Sequence, residues 1–174
     1  MAKRNPIPPL ERIRKLLSYD PKTGIFLRTG AYCASLEGKE AGALNYKGYV
    51  RIYIDGSFYM AHRIAWAMMN SSQDVPEHID HENGNRSDNR WSNLRKCSNA
   101  ENLWNREAQS NNKLGIKGVH FCNRKRKFIA KIMVHGKQIQ LGEFFSKEEA
   151  SAAYVGAAKL LHGDFLFPGL DKRK

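Results

Sequence analysis

The sequence predicts an α+β chain of two small modules, and three patterns predict it. Near the middle of the first half, two short runs rich in β-branched and aromatic residues flank an Asp-Gly turn and lead straight into an apolar helical stretch. A polar segment, Arg106 to Gly115, then runs short of apolar residues and reads as a linker. Beyond it, three strand-like runs precede one alanine-rich helix, the pattern of a three-stranded antiparallel sheet packed on a single helix. At 174 residues the chain is long enough for one domain or two small ones. The expected modules are 1–108 and 109–174.

The elements follow in order. Leu10, Ile13, Leu16 and Leu17 recur at helical spacing with Arg12, Arg14 and Lys15 between them, which predicts an amphipathic helix over 9–18. Asp20-Pro21-Lys22-Thr23-Gly24 breaks it as a turn, and Ile25 to Arg28 reads as a short strand. Tyr49 to Ile54 and Ser57 to Ala61 form a hairpin on Asp55-Gly56. Arg63 to Met69 continues as a helix, with Ile64, Trp66, Ala67 and Met68 directed to the core. Ser98-Asn-Ala-Glu101 is a capping box, so a helix starts at Asn99. Gly118 to Cys122, Lys127 to Val134 and Lys137 to Leu141 are the three later strands, the last two joined by His135-Gly136. Ser146 to Glu149 is a second capping box. Ala150, Ala153, Tyr154, Ala157, Ala158 and Leu161 then form the stripe of one helix laid flat on a sheet, where small side chains allow close approach. Gly163 suits the position just past the helix end.

The charge balance narrows the partners. Lys and Arg number 29 against 17 Asp and Glu, a formal net charge of +12, which favours a polyanion, nucleic acid first and acidic membrane second. No apolar run approaches the ~18 residues needed to span a bilayer, and Met-Ala-Lys-Arg-Asn-Pro leads into no signal-peptide core. A cytoplasmic protein is expected. Cys33, Cys97 and Cys122 lie far apart and form no CxxC pair, which argues against a disulfide framework and a structural zinc site. Two glycosylation-type triplets, at Asn70 and Asn85, carry no weight in a cytoplasmic chain.

The densest chemistry lies between His78 and Asn105. Asp80 and His81 stand side by side, followed by a polar turn, then Asn93, then the capped helix carrying Asn102. A carboxylate, an imidazole and carboxamides gathered by a compact turn can hold one hard cation and activate one water. His81 is the general-base candidate, because neutral imidazole with an ordinary pKa of ~6.5 accepts a proton from water near neutrality. Asp80 and His81 point to opposite faces of an extended strand, so the two can serve one site only if the backbone turns there, as Asn83-Gly84-Asn85 allows. An EF-hand is excluded: with Gly84 at loop position six, position one would be Ile79 and position twelve Arg90. His62 and His78 read as structural histidines.

Asp80-His81, Asn93 and Asn102 together resemble the HNH nuclease motif in the Asp-His…Asn…Asn form found in phage and intron-encoded homing endonucleases. The resemblance implies a ββα-metal core over about 62–106. It implies Asp80 and Asn102 as ligands of Mg²⁺ or Mn²⁺, and Asn93 as the holder of the loop that keeps His81 aimed. Two protein oxygens leave most of a Mg²⁺ octahedron to water and phosphate. A final His often stands in the family where Asn102 stands here, so a zinc site is disfavoured. Arg95 is a candidate holder of the scissile phosphate, and Asn105, one helical turn beyond Asn102, a candidate support for the ligand shell.

The C-terminal half, Leu114 to Pro168, resembles the AP2 DNA-binding domain. The carriers are Lys117-Gly-Val119, a basic turn, Gln140-Leu-Gly-Glu-Phe144, Glu148 to Tyr154 and Leu161-His-Gly163. Such domains lay their sheet in the major groove. From Asn111 to Lys137 there are eight Lys or Arg and no Asp or Glu, with Arg124-Lys125-Arg126-Lys127 clustered at a strand turn where long cations can straddle phosphates. By alternation from Ala130 and Ile132, Lys131 and Met133 face away from the helix. Lys117 belongs to the matching motif, and His120, Arg124, Gln138 and Gln140 match family positions that contact DNA. Gln reads adenine by paired hydrogen bonds and Arg reads guanine. The N-terminal strands, with Tyr46, Lys47, Tyr49, Arg51 and Tyr53, form either a further DNA contact or a packed aromatic face.

The function expected is a site-directed, metal-dependent DNA endonuclease of the HNH homing type. It would be phage- or intron-encoded, act on double-stranded DNA in a bacterial host, and work as a monomer or weak dimer. A non-catalytic DNA-binding regulator with a vestigial nuclease fold is the alternative, against which Asp80, His81 and Asn102 argue. A structure-specific repair or RNA nuclease is a further rival, and the AP2-like half argues against that.

Overall fold

In the computed structural model, residues 6–30, 33–105, 112, 114–134 and 136–165 are described. The elements are α1 (Leu10–Leu16), β1 (Leu17–Tyr19), β2 (Phe26–Arg28), β3 (Ala43–Leu44), β4 (Val50–Ile54), β5 (Ser57–Met60), α2 (Ala61–Met69), β6 (His78–His81), β7 (Leu94–Cys97), α3 (Asn99–Trp104), β8 (Val119–Cys122), β9 (Lys127–Val134), β10 (Lys137–Phe144) and α4 (Lys147–His162). They form an α+β chain with two compact units, Met1–Cys97 and Ser98–Lys174. The boundary expected at 108 falls outside the described residues, and α3 groups with the second unit. No helix among the described residues is long and apolar enough to cross a membrane.

In the first unit, α1 stops at Leu16 instead of reaching residue 18, because Leu17–Tyr19 pairs antiparallel with Phe26–Arg28. The cross-strand ladder claims backbone groups that the helix would otherwise use. β3, β4 and β5 form a second antiparallel sheet, with the β4–β5 turn on Asp55 and Gly56 at φ of +44° and +83°. α2 starts at Ala61, directly after β5 and two residues earlier than the spacing suggested. Ile13, Leu16, Phe26, Ile52, Ile54 and Ile64 are each at most 2 % exposed and share one core with Ile79 and Leu94. Those last two belong to the β6–β7 ribbon, so the ribbon that carries Asp80 and His81 is seated on the core by its own apolar residues.

In the second unit, Ser98 and Glu101 close the expected capping box at the start of α3. β8, β9 and β10 form an antiparallel sheet in the order β10-β9-β8, and α4 packs on it through Ala150, Tyr154 and Ala158. Ser146 Oγ accepts the Glu149 amide at 3.1 Å at the start of that helix. The stripe departs from the sequence pattern at its end. Leu161 is 47 % exposed and His162 is buried in its place, since the run Ala150, Tyr154, Ala158, His162 follows the i+4 row of a straight helix. β10 extends three residues further than expected, through a register shift between Gln140 and Gly142. The extra residue reverses the alternation, so Phe144 returns to the helix side opposite Phe128 and Glu143 takes the outer side opposite Ile129.

Gly118 makes this packing possible. It sits at φ +72°, and a Cβ there would lie 2.1 Å from Tyr154 Cε2 and 2.6 Å from the Lys131 carbonyl oxygen. Gly118→Ala combines left-handed strain with overpacking, an expected loss of about 2–4 kcal/mol. Hydrogen exchange should then lose protection in β8, β9 and β10 and keep it in β4 and β5. Unchanged protection in β9 would mean that the Tyr154 ring moves aside at little cost.

Candidate functional site

β6 and β7 pair antiparallel with Asp80 opposite Arg95 and His81 opposite Leu94. Directly opposed residues lie on the same face of a ribbon, so the register alone brings Asp80 and Arg95 together. Arg95 donates from Nε at 3.0 Å and Nη2 at 2.9 Å to Asp80 Oδ2. The pair is largely buried, with side-chain exposures of 6 % for Asp80 and 17 % for Arg95. The residue expected to grip a phosphate is therefore engaged with the carboxylate expected to grip a cation.

His81 leaves the ribbon on the opposite face from Asp80. The backbone does not turn between the two; the strand runs through both, and the turn follows, closed by the Gly84 amide on the His81 carbonyl at 2.8 Å. His81 is buried, 4 % exposed as a residue. It meets the His62 ring edge-on at 5.2 Å and the Tyr49 ring at 5.9 Å, between centroids. Tyr49 also lies 5.5 Å from His62 and carries the Arg86 guanidinium over its face at 5.2 Å. His81 Nε2 lies 3.5 Å from Asn89 Oδ1. Burial pushes the His81 imidazole below its ordinary pKa, opposed by the Asn89 hydrogen bond and the charges of Asp80 and Asp88. That direction favours the neutral ring.

Loop 82–93 is tied by its own side chains. Asn93 is buried; its Oδ1 accepts the Asn83 amide at 2.9 Å, and its Nδ2 donates to the Asp88 carbonyl at 2.8 Å. Its carbonyl accepts the Glu82 amide at 2.9 Å, extending the ribbon by one bond. Asp88 receives Asn83 Nδ2 at 2.7 Å and both Arg90 Nε and Nη2, at 2.8 and 2.5 Å. The Arg90 guanidinium holds the Asp88 carboxyl below the usual carboxylate range.

Asn102 lies in the first turn of α3, its amide bonded to the Ser98 carbonyl at 3.0 Å, and Asn105 at the far end of α3 is buried. Within the second unit, the Trp104 ring stacks on His162 at 4.3 Å and 7°, and Lys117 Nζ donates to the Leu103 and Trp104 carbonyls at 3.1 and 2.6 Å. Lys117 thus stabilises the negative end of α3. Among the described residues no group of three or more His, Cys, Asp or Glu is placed to hold a metal ion.

The outer face of the second unit's sheet collects most of the other sequence candidates. Lys131 stands opposite Gln140, Met133 opposite Gln138, Ile129 opposite both His120 and Glu143, and Lys127 opposite Cys122. Opposed residues share a face, so His120, Lys127, Lys131, Gln138 and Gln140 all lie on the side away from α4. Arg124 and Arg126 are exposed in the β8–β9 turn, Arg126 at φ +50°. Glu143 joins them there, beyond what the alternation predicts. Lys125 Nζ donates to it and holds its carboxyl below the usual range, and Gln140 Nε2 approaches the same oxygen at 3.4 Å.

Sequence reasoning does not find Asn89, Asp88, Tyr49 and Tyr19 as parts of the site, and it sets His62 aside as structural. The turn-rich composition of 82–93 marks a loop, but nothing in spacing tells which of its four asparagines aims at an imidazole. Residues 59–103 match a family model described as HNH endonuclease, which points to nuclease activity on DNA. The match spans β5 to α3 and includes Asp80, His81, Asn93, Arg95 and Asn102. No curated protein and no solved structure matches the chain.

Proposed function

We propose that this chain is a site-directed, divalent-metal-dependent DNA endonuclease of the HNH homing type, with an AP2-like second unit that anchors it on double-stranded DNA. The observation that carries the reading is the ribbon end inside the matched segment. There a buried imidazole and a buried carboxylate leave adjacent positions of one strand on opposite faces of the ribbon, each with its own hydrogen-bonded partner, so a phosphodiester served by both would lie across the ribbon's end. Asp80 offers an anionic hard oxygen, suited to a cation that keeps most of its sites for water and phosphate. Mg²⁺ or Mn²⁺ held there would neutralise charge developing on the phosphate and the leaving oxygen.

The chain's own residues do the rest. His81 accepts the proton of the attacking water as its oxygen bonds to phosphorus and the bond to the leaving oxygen breaks. Arg95 holds the Asp80 carboxylate in one orientation. Asn93 keeps the loop after His81 closed. On the second unit, Arg124 and Arg126 meet phosphates while Gln138, Gln140, Lys131 and His120 face base edges. The test is supercoiled-plasmid nicking by the full chain with Mg²⁺ and with EDTA, alongside DNA binding across a salt series. Nicking in Mg²⁺ alone is expected. Arg124→Ala with Arg126→Ala should flatten the log–log salt slope by ~0.9 for each phosphate no longer neutralised. An unchanged slope removes the basic turn from the interface.

A further inference from the structure

For His81 to act as a base, one ring nitrogen must carry a lone pair, and its surroundings determine which. Asn89 is 3 % exposed, and its Nδ2 donates to the Ser87 carbonyl at 3.0 Å. That bond orients the carboxamide and leaves Oδ1 as the end nearest His81 Nε2, at 3.5 Å. A carboxamide oxygen only accepts, so a hydrogen bond across this contact requires the proton on Nε2. A neutral imidazole carries one such proton, so the lone pair falls on Nδ1. The His62 and Tyr49 rings, packed against His81, restrict the ring flip that would exchange the two nitrogens.

Asn89 is also held from outside the segment that matches the nuclease family. Tyr19 Oη donates to the Asn89 carbonyl at 2.8 Å, and the Tyr19 ring stacks on Phe26 at 4.6 Å. Burial pushes the Tyr19 phenol up to about 12, so it stays a donor. The Trp91 amide bonds to the Pro21 carbonyl at 3.0 Å. Gly24 sits at φ +76°, where a Cβ would lie 2.4 Å from Arg90 N and 2.5 Å from Asn89 C. The turn between β1 and β2 is thus pressed directly onto the peptide joining Asn89 to Arg90.

We infer that Asn89, braced by Tyr19 and the β1–β2 hairpin, is a positioning residue that sets the His81 tautomer, with Nε2–H donated to Asn89 Oδ1 and Nδ1 as the proton acceptor. Its catalytic consequence rests on the nuclease reading; the tautomer itself does not. Long-range proton–nitrogen correlation on the ¹⁵N-labelled full chain, at about pH 8 where imidazole is neutral, reads the tautomer directly. His81 is identified by the signals that vanish in His81→Gln. The expected pattern is a single Nε2–H form, shifting toward a mixture in Asn89→Ala and less so in Tyr19→Phe. Asn89→Asp, which keeps an acceptor at the same place, should restore the Nε2–H form. In the nicking assay Asn89→Ala should lower kcat by about 10–100-fold with little change in KM, and Asn89→Asp should recover part of it. An Nδ1–H form in the parent chain overturns the inference, as does a parental pattern in Asn89→Ala. A parent chain that shows the Nε2–H form but never nicks DNA would count against the nuclease reading and leave the tautomer assignment standing.

Discussion

His81→Ala should slow plasmid nicking by about 10²–10⁴, the usual size of general-base catalysis, with DNA binding retained. The expectation follows from where the ring sits. It is buried, pushed toward its neutral form by burial, and directed through Nε2 to a hydrogen-bond acceptor. Such a ring takes up a proton readily only if nearby charges compensate for the solvation it lacks, and Asp80 and Asp88 both act in that direction. Removing the ring also opens a space beside His62 and Tyr49, so a fall in rate could come from collapse. His81→Gln keeps most of the volume and cannot act as a base at neutral pH. Both variants should melt as cooperatively as the parent and bind the same DNA, and both should be slow. A His81→Gln chain that nicks at the parental rate would remove His81 from the chemistry.

Asp80 should matter at least as much. Asp80→Asn is expected to lower Mg²⁺-dependent nicking by about 10³-fold or more, because the only carboxylate assigned to the cation loses its charge. Asn is the better probe than Ala here. Arg95 spends Nε and Nη2 on Asp80 Oδ2, and its side chain is only 17 % exposed. Deleting the carboxylate outright strips a largely buried guanidinium of that partner, which costs about 3–5 kcal/mol in comparable pairs. Both variants should therefore lose rate and some stability, Asp80→Asn less stability than Asp80→Ala because its carboxamide oxygen can still accept from Arg95. EDTA should silence the parent chain as completely as the substitution does. Full Mg²⁺ activity in Asp80→Asn, or nicking that survives EDTA, would sink the assignment of this site.

Local signals were the legible ones. The Asp55-Gly56 hairpin, the capping box at Ser98 and Glu101, and the three strands with one helix behind them are written in short-range patterns, and each is present. Such features depend on residues within a turn or two of one another, where backbone sterics and capping act directly. The early end of α1 was hidden because strand pairing between Leu17–Tyr19 and Phe26–Arg28 competes with helix propagation. The shift of the buried stripe from Leu161 to His162 was hidden because only the sheet decides which row of a helix is covered.

The sequence by itself determined the basic charge, the α+β pattern, the Asp80-His81 pair with its asparagines, and the alternation that sends Lys131 outward. These are statements about composition, period and neighbours along the chain. Only tertiary structure decided that Arg95 pairs with Asp80, that Asn89 rather than Asn93 addresses the His81 ring, and that Tyr19, seventy residues away, braces Asn89. It also decided, through one extra residue in β10, that Glu143 shares a face with Gln140. The reason is physical. Each of these depends on cross-strand register or on the aim of a buried side chain, both set by packing between segments far apart in sequence.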